Sequence, residues 1–288
     1  MRAVLPVPPT THFSRRTFSK LVLTPLAGKL FAGVTIPVAL QLFSVRNECE
    51  KDLQSVLTRV ARFGYRGVEF AGYYGRSAVE IRHILDNASL QCCGSHTPLD
   101  QLSPDTFDKT IEFNRTLGNR WLIVPGLPAQ YHSSEGWRKA AEVFTQLSIR
   151  LAPLGMRIGY HNHALEFRAD QAGQLPWDVF FHNTPPEVIA QLDLGNARLA
   201  GVDPNSLLAR YPGRAKSVHV KDCLPDKPDV LIGTSNFDWP SFLRMCQSSA
   251  GTEWYVIEHE SHDLPAMEAV EQSLRRFEGI LRACSVCG

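Results

Sequence analysis

The chain has 288 residues, 44% of them hydrophobic and 20% charged, so it can bury a large core and is not composed like a disordered segment. Thirty Lys and Arg against 29 Asp and Glu leave a formal charge of +1. That balance supplies no broad positive field for a phosphate backbone, and nucleic acid is not the expected partner. Seven scattered cysteines, an odd number, do not read as a disulfide framework.

Residues 1–36 differ in kind from the rest. Ser14-Arg15-Arg16-Thr17-Phe18-Ser19-Lys20 followed by an apolar stretch resembles a twin-arginine signal, which implies export of a folded protein to the periplasm or otherwise out of the cytoplasm. The apolar stretch at 21–34 contains Pro25, Gly28 and Lys29 and falls short of the roughly 20 residues that a spanning helix needs, so no stable membrane span is expected. No A-x-A cleavage site is evident.

From residue 37 to 288, short β-branched or apolar runs alternate with longer stretches of helical period. Strands are expected at 37–43, 67–70, 90–95, 121–124, 156–161, 188–193, 217–220 and 254–258. The segment after the first strand shows the helical spacing in Leu53, Val56, Leu57, Val60 and Ala61. Ser103 before Pro104, and Asp238 before Trp239-Pro240, read as helix N-caps. Eight right-handed βα units favour closure into a (β/α)₈ TIM barrel in one domain. An open doubly wound sheet would usually carry a glycine-rich turn after its first strand, and Gln41-Leu42-Phe43-Ser44-Val45-Arg46 has none.

Barrel active sites lie at the carboxyl ends of the strands, so polar residues that terminate apolar runs mark the chemistry. His161, Asp193, His219 and Glu258 terminate four successive runs, each about one βα unit from the next. Converging imidazoles and carboxylates suit one divalent ion of Mn, Zn, Co or Fe better than Mg²⁺ or Ca²⁺, which prefer oxygen alone. Lys221 shares the face of His219 by strand parity and is placed to hold a substrate oxygen or an enolate. Glu69 and His96 at the second and third strands are candidate binders of substrate hydroxyls. Phe70, Tyr73 and Tyr74 around Gly72 and Gly75 offer flat faces to sugar C–H bonds.

QLFSVR, GYRGVEFAGYYG, YHNH, DLGN, HVKD and IEHE together resemble the xylose isomerase-like sugar phosphate isomerase/epimerase superfamily, which includes inosose dehydratases and ketose 3-epimerases. The resemblance covers roughly residues 37–282. It implies one divalent metal held by Glu, Asp, His and Glu, of which Asp193, His219 and Glu258 match the last three. The first position holds His161, so either His161 replaces the carboxylate or Glu166 folds back to restore it. The resemblance further implies enolisation of a keto-sugar or cyclitol, with Glu258, His163 and Glu166 as proton carriers. The paired glutamates of the epimerases are incomplete here, which raises dehydration as an alternative. Ile232-Gly233-Thr234-Ser235 also departs from the Gly-Glu-Gly of relatives. A nucleic-acid enzyme like endonuclease IV, which shares the barrel, conflicts with the balanced charge. A non-catalytic sugar-binding barrel is the other alternative. A homodimer is left open.

Overall fold

The computed structural model describes residues 36–170 and 173–286, and the expected export segment lies outside them apart from Ile36. Eight parallel strands close into a barrel: β1 (Val38–Gln41), β2 (Gly67–Phe70), β3 (Gln91–His96), β4 (Trp121–Val124), β5 (Arg157–His161), β6 (Ile189–Asp193), β7 (Ser217–Val220) and, after a two-stranded excursion, β10 (Trp254–Ile257). β1 pairs with both β2 and β10, which closes the sheet. The excursion is an antiparallel hairpin of β8 (Asp222–Leu224) and β9 (Lys227–Val230), which the sequence reading did not anticipate. The nine helices among the described residues are α1 (Arg46–Phe63), α2 (Ala78–Ala88), α3 (Phe107–Leu117), α4 (Ser134–Leu151), α5 (Pro176–His182), α6 (Leu194–Leu199), α7 (Pro204–Arg210), α8 (Trp239–Met245) and α9 (Ala266–Val286).

The helices form where apolar residues recur every three or four positions, and that stripe packs on the outer face of the strands. In α1 the buried residues are Cys49, Leu53, Val56, Leu57 and Val60. In α4 they include Trp137, Ala140, Ala141, Phe144, Leu147 and Leu151. Phe144 meets Tyr160 of β5 and Phe180 of α5 edge-to-face, with ring centroids 6.1 and 4.8 Å apart. α1 ends at Gly64, whose φ of 117° suits a residue without Cβ.

Asp238 caps α8 as expected, its side chain accepting from the Ser241 N–H. Ser103 does not cap α3. Its carbonyl accepts from Thr106 and Phe107, so residues 103–106 form a turn and the helix begins at Phe107. The first strand is also shorter than expected. The Gln41 side chain accepts from the Phe43 N–H and turns the chain into a 3₁₀ segment at Leu42–Val45. No helix among the described residues is long and apolar enough to cross a membrane.

Candidate metal centre

Side chains on β2, β6 and β7 can touch only through the barrel interior, and here they do. Glu69 Oε2 of β2 lies 2.6 Å from His219 Nε2 of β7, while Glu69 Oε1 accepts from Gln191 Nε2 of β6 at 2.7 Å. Gln41 Nε2 of β1 donates to Glu69 Oε2 at 2.7 Å, and Gln191 Nε2 also reaches Ser217 Oγ at 2.7 Å. Gln191 Oε1 is 3.0 Å from both His161 Nδ1 and His96 Nε2. This polar layer replaces the aliphatic layers usual in a barrel interior. Just below it Gly159, without a side chain, leaves room for Ile123 and Ile189 from the flanking strands.

At the top of the layer, His161, Asp193, His219 and Glu258 each direct one ligand-type atom into a space where all four lie within 4.8 Å of one another. Each is positioned by its strand end. Asp193 is the N-cap of α6, and its Oδ1 accepts from the Asn196 N–H at 2.7 Å. Its backbone N–H is held by Asn162 Oδ1. Asp193 Oδ2 is buried without a hydrogen-bond partner and lies 4.0 Å from His161 Nε2. Glu258 Oε2 lies 2.7 Å from His219 Nδ1. His96, His161 and His219 form a second group of three with the same mutual spacing.

Burial works against charge throughout this centre, and the neighbours decide where it survives. For His219 the penalty of burial is outweighed by Glu69 and Glu258, which push the imidazole up to about 10. Burial also opposes ionisation of Glu258, but His219 brings it down to about 2, and His96 and His219 hold Glu69 well below the usual carboxylate range. For Asp193 burial prevails over the attraction of Lys221 and raises the carboxyl to about 6. Burial, reinforced by His219, His96 and His163, holds His161 well below its ordinary value, so its ring is neutral. Two imidazoles and two carboxylates, one of them with an orphaned oxygen, are a donor set that fits a borderline divalent cation.

A cleft of about 400 Å³ opens above the centre. Its polar wall includes His96, His161, His163, Glu258 and Glu260, and its apolar wall Phe43, Tyr73, Pro98 and Pro125. Among the described residues, no Lys or Arg lines it.

The other expected residues separate. His163 sits at the cleft, its ring 5.1 Å from that of His161. Glu166 is not brought to the cluster: Oε1 accepts from Tyr160 Oη at 2.5 Å and Oε2 from the His163 N–H at 2.8 Å. It therefore braces the β5 loop from the helix side. Glu69 is fully buried beneath the imidazoles and does not line the cleft, so it is not placed to bind substrate hydroxyls. Lys221 pairs with Glu260 rather than opening into the cleft, and with burial against it, Asp193, Glu258 and Glu260 keep the ammonium charged. Of the aromatic run only Tyr73 reaches the cleft, whereas Phe70 is in the core. Gln191 and Glu260 were missed by the sequence reading, although Gln191 lies two residues before Asp193 on β6 and hence on the same face, and Glu260 lies two residues after Glu258.

Residues 57–280 match the xylose isomerase-like TIM barrel family. The chain belongs to that family. Among its curated relatives is an inosose dehydratase of Lacticaseibacillus casei, 22% identical over 73% of this chain and 83% of the relative. Another is the rhizopine catabolism protein MocC of Rhizobium meliloti, 23% identical over 78% and 81%. A solved sugar phosphate isomerase/epimerase from Parabacteroides distasonis superposes with a TM-score of 0.71 at 26% identity, covering 86% of this chain and 94% of that one. The zinc-bound IOLI protein has the same fold, with a TM-score of 0.67 at 15% identity over 85% and 97%. In this xylose isomerase-like barrel, His161 occupies the position at which the motif resemblance leads to the expectation of Glu.

Proposed function

We propose that this barrel is a divalent-metal-dependent enzyme that enolises a small, uncharged polyhydroxylated ketone, a keto-sugar or inosose. The observation that carries the reading is the convergence of His161, Asp193, His219 and Glu258 beneath the cleft, with Asp193 Oδ2 unpartnered. A bound cation at these four residues would supply Lewis-acid polarisation of the substrate carbonyl and stabilise the enediolate charge. Glu258 is held ionised, with Oε2 committed to His219, and accepts the α-proton. His163 is exposed at the cleft and donates the returning proton. The Tyr73, Pro98 and Phe43 faces pack the C–H side of the substrate and orient it. The cationless lining disfavours a phosphorylated substrate.

A second reading on the same site is dehydration. It is favoured by the imidazole at His161, which stands where the resemblance leads to the expectation of a second ligand glutamate, and by the inosose dehydratase relatives. In that outcome Glu258 takes the α-proton, and the β-hydroxyl accepts a proton from His163 and departs as water. The test is exchange of the α-proton in deuterated water with a panel of ketoses and inososes and added Mn²⁺, Co²⁺ or Zn²⁺. Metal-dependent exchange that Glu258→Gln abolishes is expected. A metal-loaded protein that binds a panel member tightly without exchange would favour the binding-protein alternative.

A further inference from the structure

An imidazole in the place of a carboxylate ligand raises a problem that the carboxylate does not. Either oxygen of a carboxylate can ligate in any orientation, whereas a neutral imidazole ligates through one nitrogen of one tautomer. Something must select that tautomer for His161.

The amide of Gln191 is oriented without ambiguity. The Glu69 carboxylate is an acceptor only, so the Gln191 atom 2.7 Å from Glu69 Oε1 is its nitrogen, whose second hydrogen serves Ser217 Oγ at 2.7 Å. The carbonyl oxygen therefore faces His161 Nδ1 at 3.0 Å, and a carbonyl can only accept. His161 must donate from Nδ1, which leaves the lone pair on Nε2. That nitrogen faces Asp193 Oδ2 at 4.0 Å, two acceptors with no proton between them. On the other side Glu69 Oε2 accepts from His219 Nε2 at 2.6 Å, so the proton that a cation would displace is the one on Nδ1, which here donates to Glu258 Oε2 at 2.7 Å. Glu69 is itself fixed by Gln41, and Gly94 has no side chain where a Cβ would come within 2.7 Å of Glu69 Oε1. Gln41, Glu69 and Gln191 are all fully buried.

We infer that Glu69 and Gln191 are positioning residues for the two imidazole ligands: Gln191 selects the His161 tautomer that offers Nε2, and Glu69 holds His219 so that it offers Nδ1. The inference rests on the metal-centre reading above. An N–H of a ligating histidine given to a carboxylate or carbonyl fixes the ring and raises its basicity, and loss of that partner weakens metal binding by about 10- to 100-fold.

The test uses the full chain, with Zn²⁺ as the probe, in Gln191→Leu and Glu69→Gln. Long-range ¹⁵N–¹H imidazole spectra of the metal-free protein report the His161 tautomer, and competition with a chromophoric chelator reports zinc affinity. The wild type is expected to show His161 protonated on Nδ1. Gln191→Leu should show mixed tautomers, and both variants should bind zinc about 10- to 100-fold more weakly. Should Gln191→Leu not fold, Ser217→Ala removes one of the two holds on the Gln191 amide and is read by the same spectra. A folded variant with unmoved tautomer and unmoved affinity overturns the positioning role. A wild type that binds no zinc overturns the metal reading instead, and the tautomer spectra still decide whether Gln191 governs His161.

Discussion

Replacing Asp193 by Asn should stabilise the metal-free protein and destabilise the metal-supplemented one, relative to the wild type. Asp193 Oδ2 is buried without a hydrogen-bond partner and faces the neutral His161 ring. Such an atom costs about 1–3 kcal/mol. The carboxyl tells the same story: burial, opposed by Lys221, raises it from 3.8 to about 6, and two pKa units correspond to about 3 kcal/mol. Because the folded carboxyl is the weaker acid, the folded chain holds more protons than the unfolded chain between these values. The cost is thus absent below about pH 4, grows through pH 6 and persists above it. The Asn side chain keeps the cap on Asn196 through Oδ1 and turns an N–H donor toward the His161 lone pair. At pH 7.5 in chelator the variant should gain about 1–3 kcal/mol, which at this size is roughly 2–10 °C in Tm. With free cation at about 1,000 times its Kd the wild type should gain about 4.1 kcal/mol and the variant, short of one ligand, far less, which reverses the order. Thermal melts with EDTA and with Mn²⁺ or Zn²⁺ measure both arms. A variant less stable than wild type in chelator, or metal shifts equal in the two proteins, would refute the reasoning.

Elemental analysis should find the metal lost in His161→Ala and retained in Glu166→Gln, because Glu166 is spent on Tyr160 and the His163 N–H. Gly159→Ala should lower stability by about 1–3 kcal/mol in urea melts, since its Cβ would lie 2.6 Å from Ile123 Cδ1 and 2.8 Å from Ile189 Cβ. We propose export for residues 1–36. Fused to a reporter that folds before transport, they should carry it across the inner membrane, and Lys at Arg15 and Arg16 should stop it; a reporter retained with the native arginines refutes the targeting reading.

The eight barrel strands were legible as short runs set between longer stretches of three-to-four spacing, four of them closed by His161, Asp193, His219 and Glu258. The hairpin of Asp222–Leu224 and Lys227–Val230 was not, because strands of three and four residues carry too little periodicity to distinguish from a loop. At the site, parity and position at strand ends identified the residues that converge, His161 and His219 among them. The same rules put Glu69 in the substrate cleft, because they give the face of a residue but not its depth. Depth separates a side chain that meets substrate from one that meets a ligand's far nitrogen. Gln191 was passed over because an amide carries no charge and ligates metals poorly; its role depends on which neighbours its two ends face, and only coordinates supply that. Strand parity favoured His161 over Glu166 only narrowly, since what separates them is a hydrogen bond of Glu166 to Tyr160 that the sequence does not show.

The polar layer inside the barrel also bears on how the sheet closes. Sliding one strand by a single residue would turn its inward side chains to the helices, but a slide by two keeps them inward, and a uniformly aliphatic lumen would penalise it little. Here such a slide at β2 would carry Glu69 away from Gln41, Gln191 and His219 and leave a carboxylate among aliphatic side chains, the kind of uncompensated charge that costs about 3–5 kcal/mol. The residues beneath the cleft would therefore penalise mis-threaded closures before any substrate or cation is met.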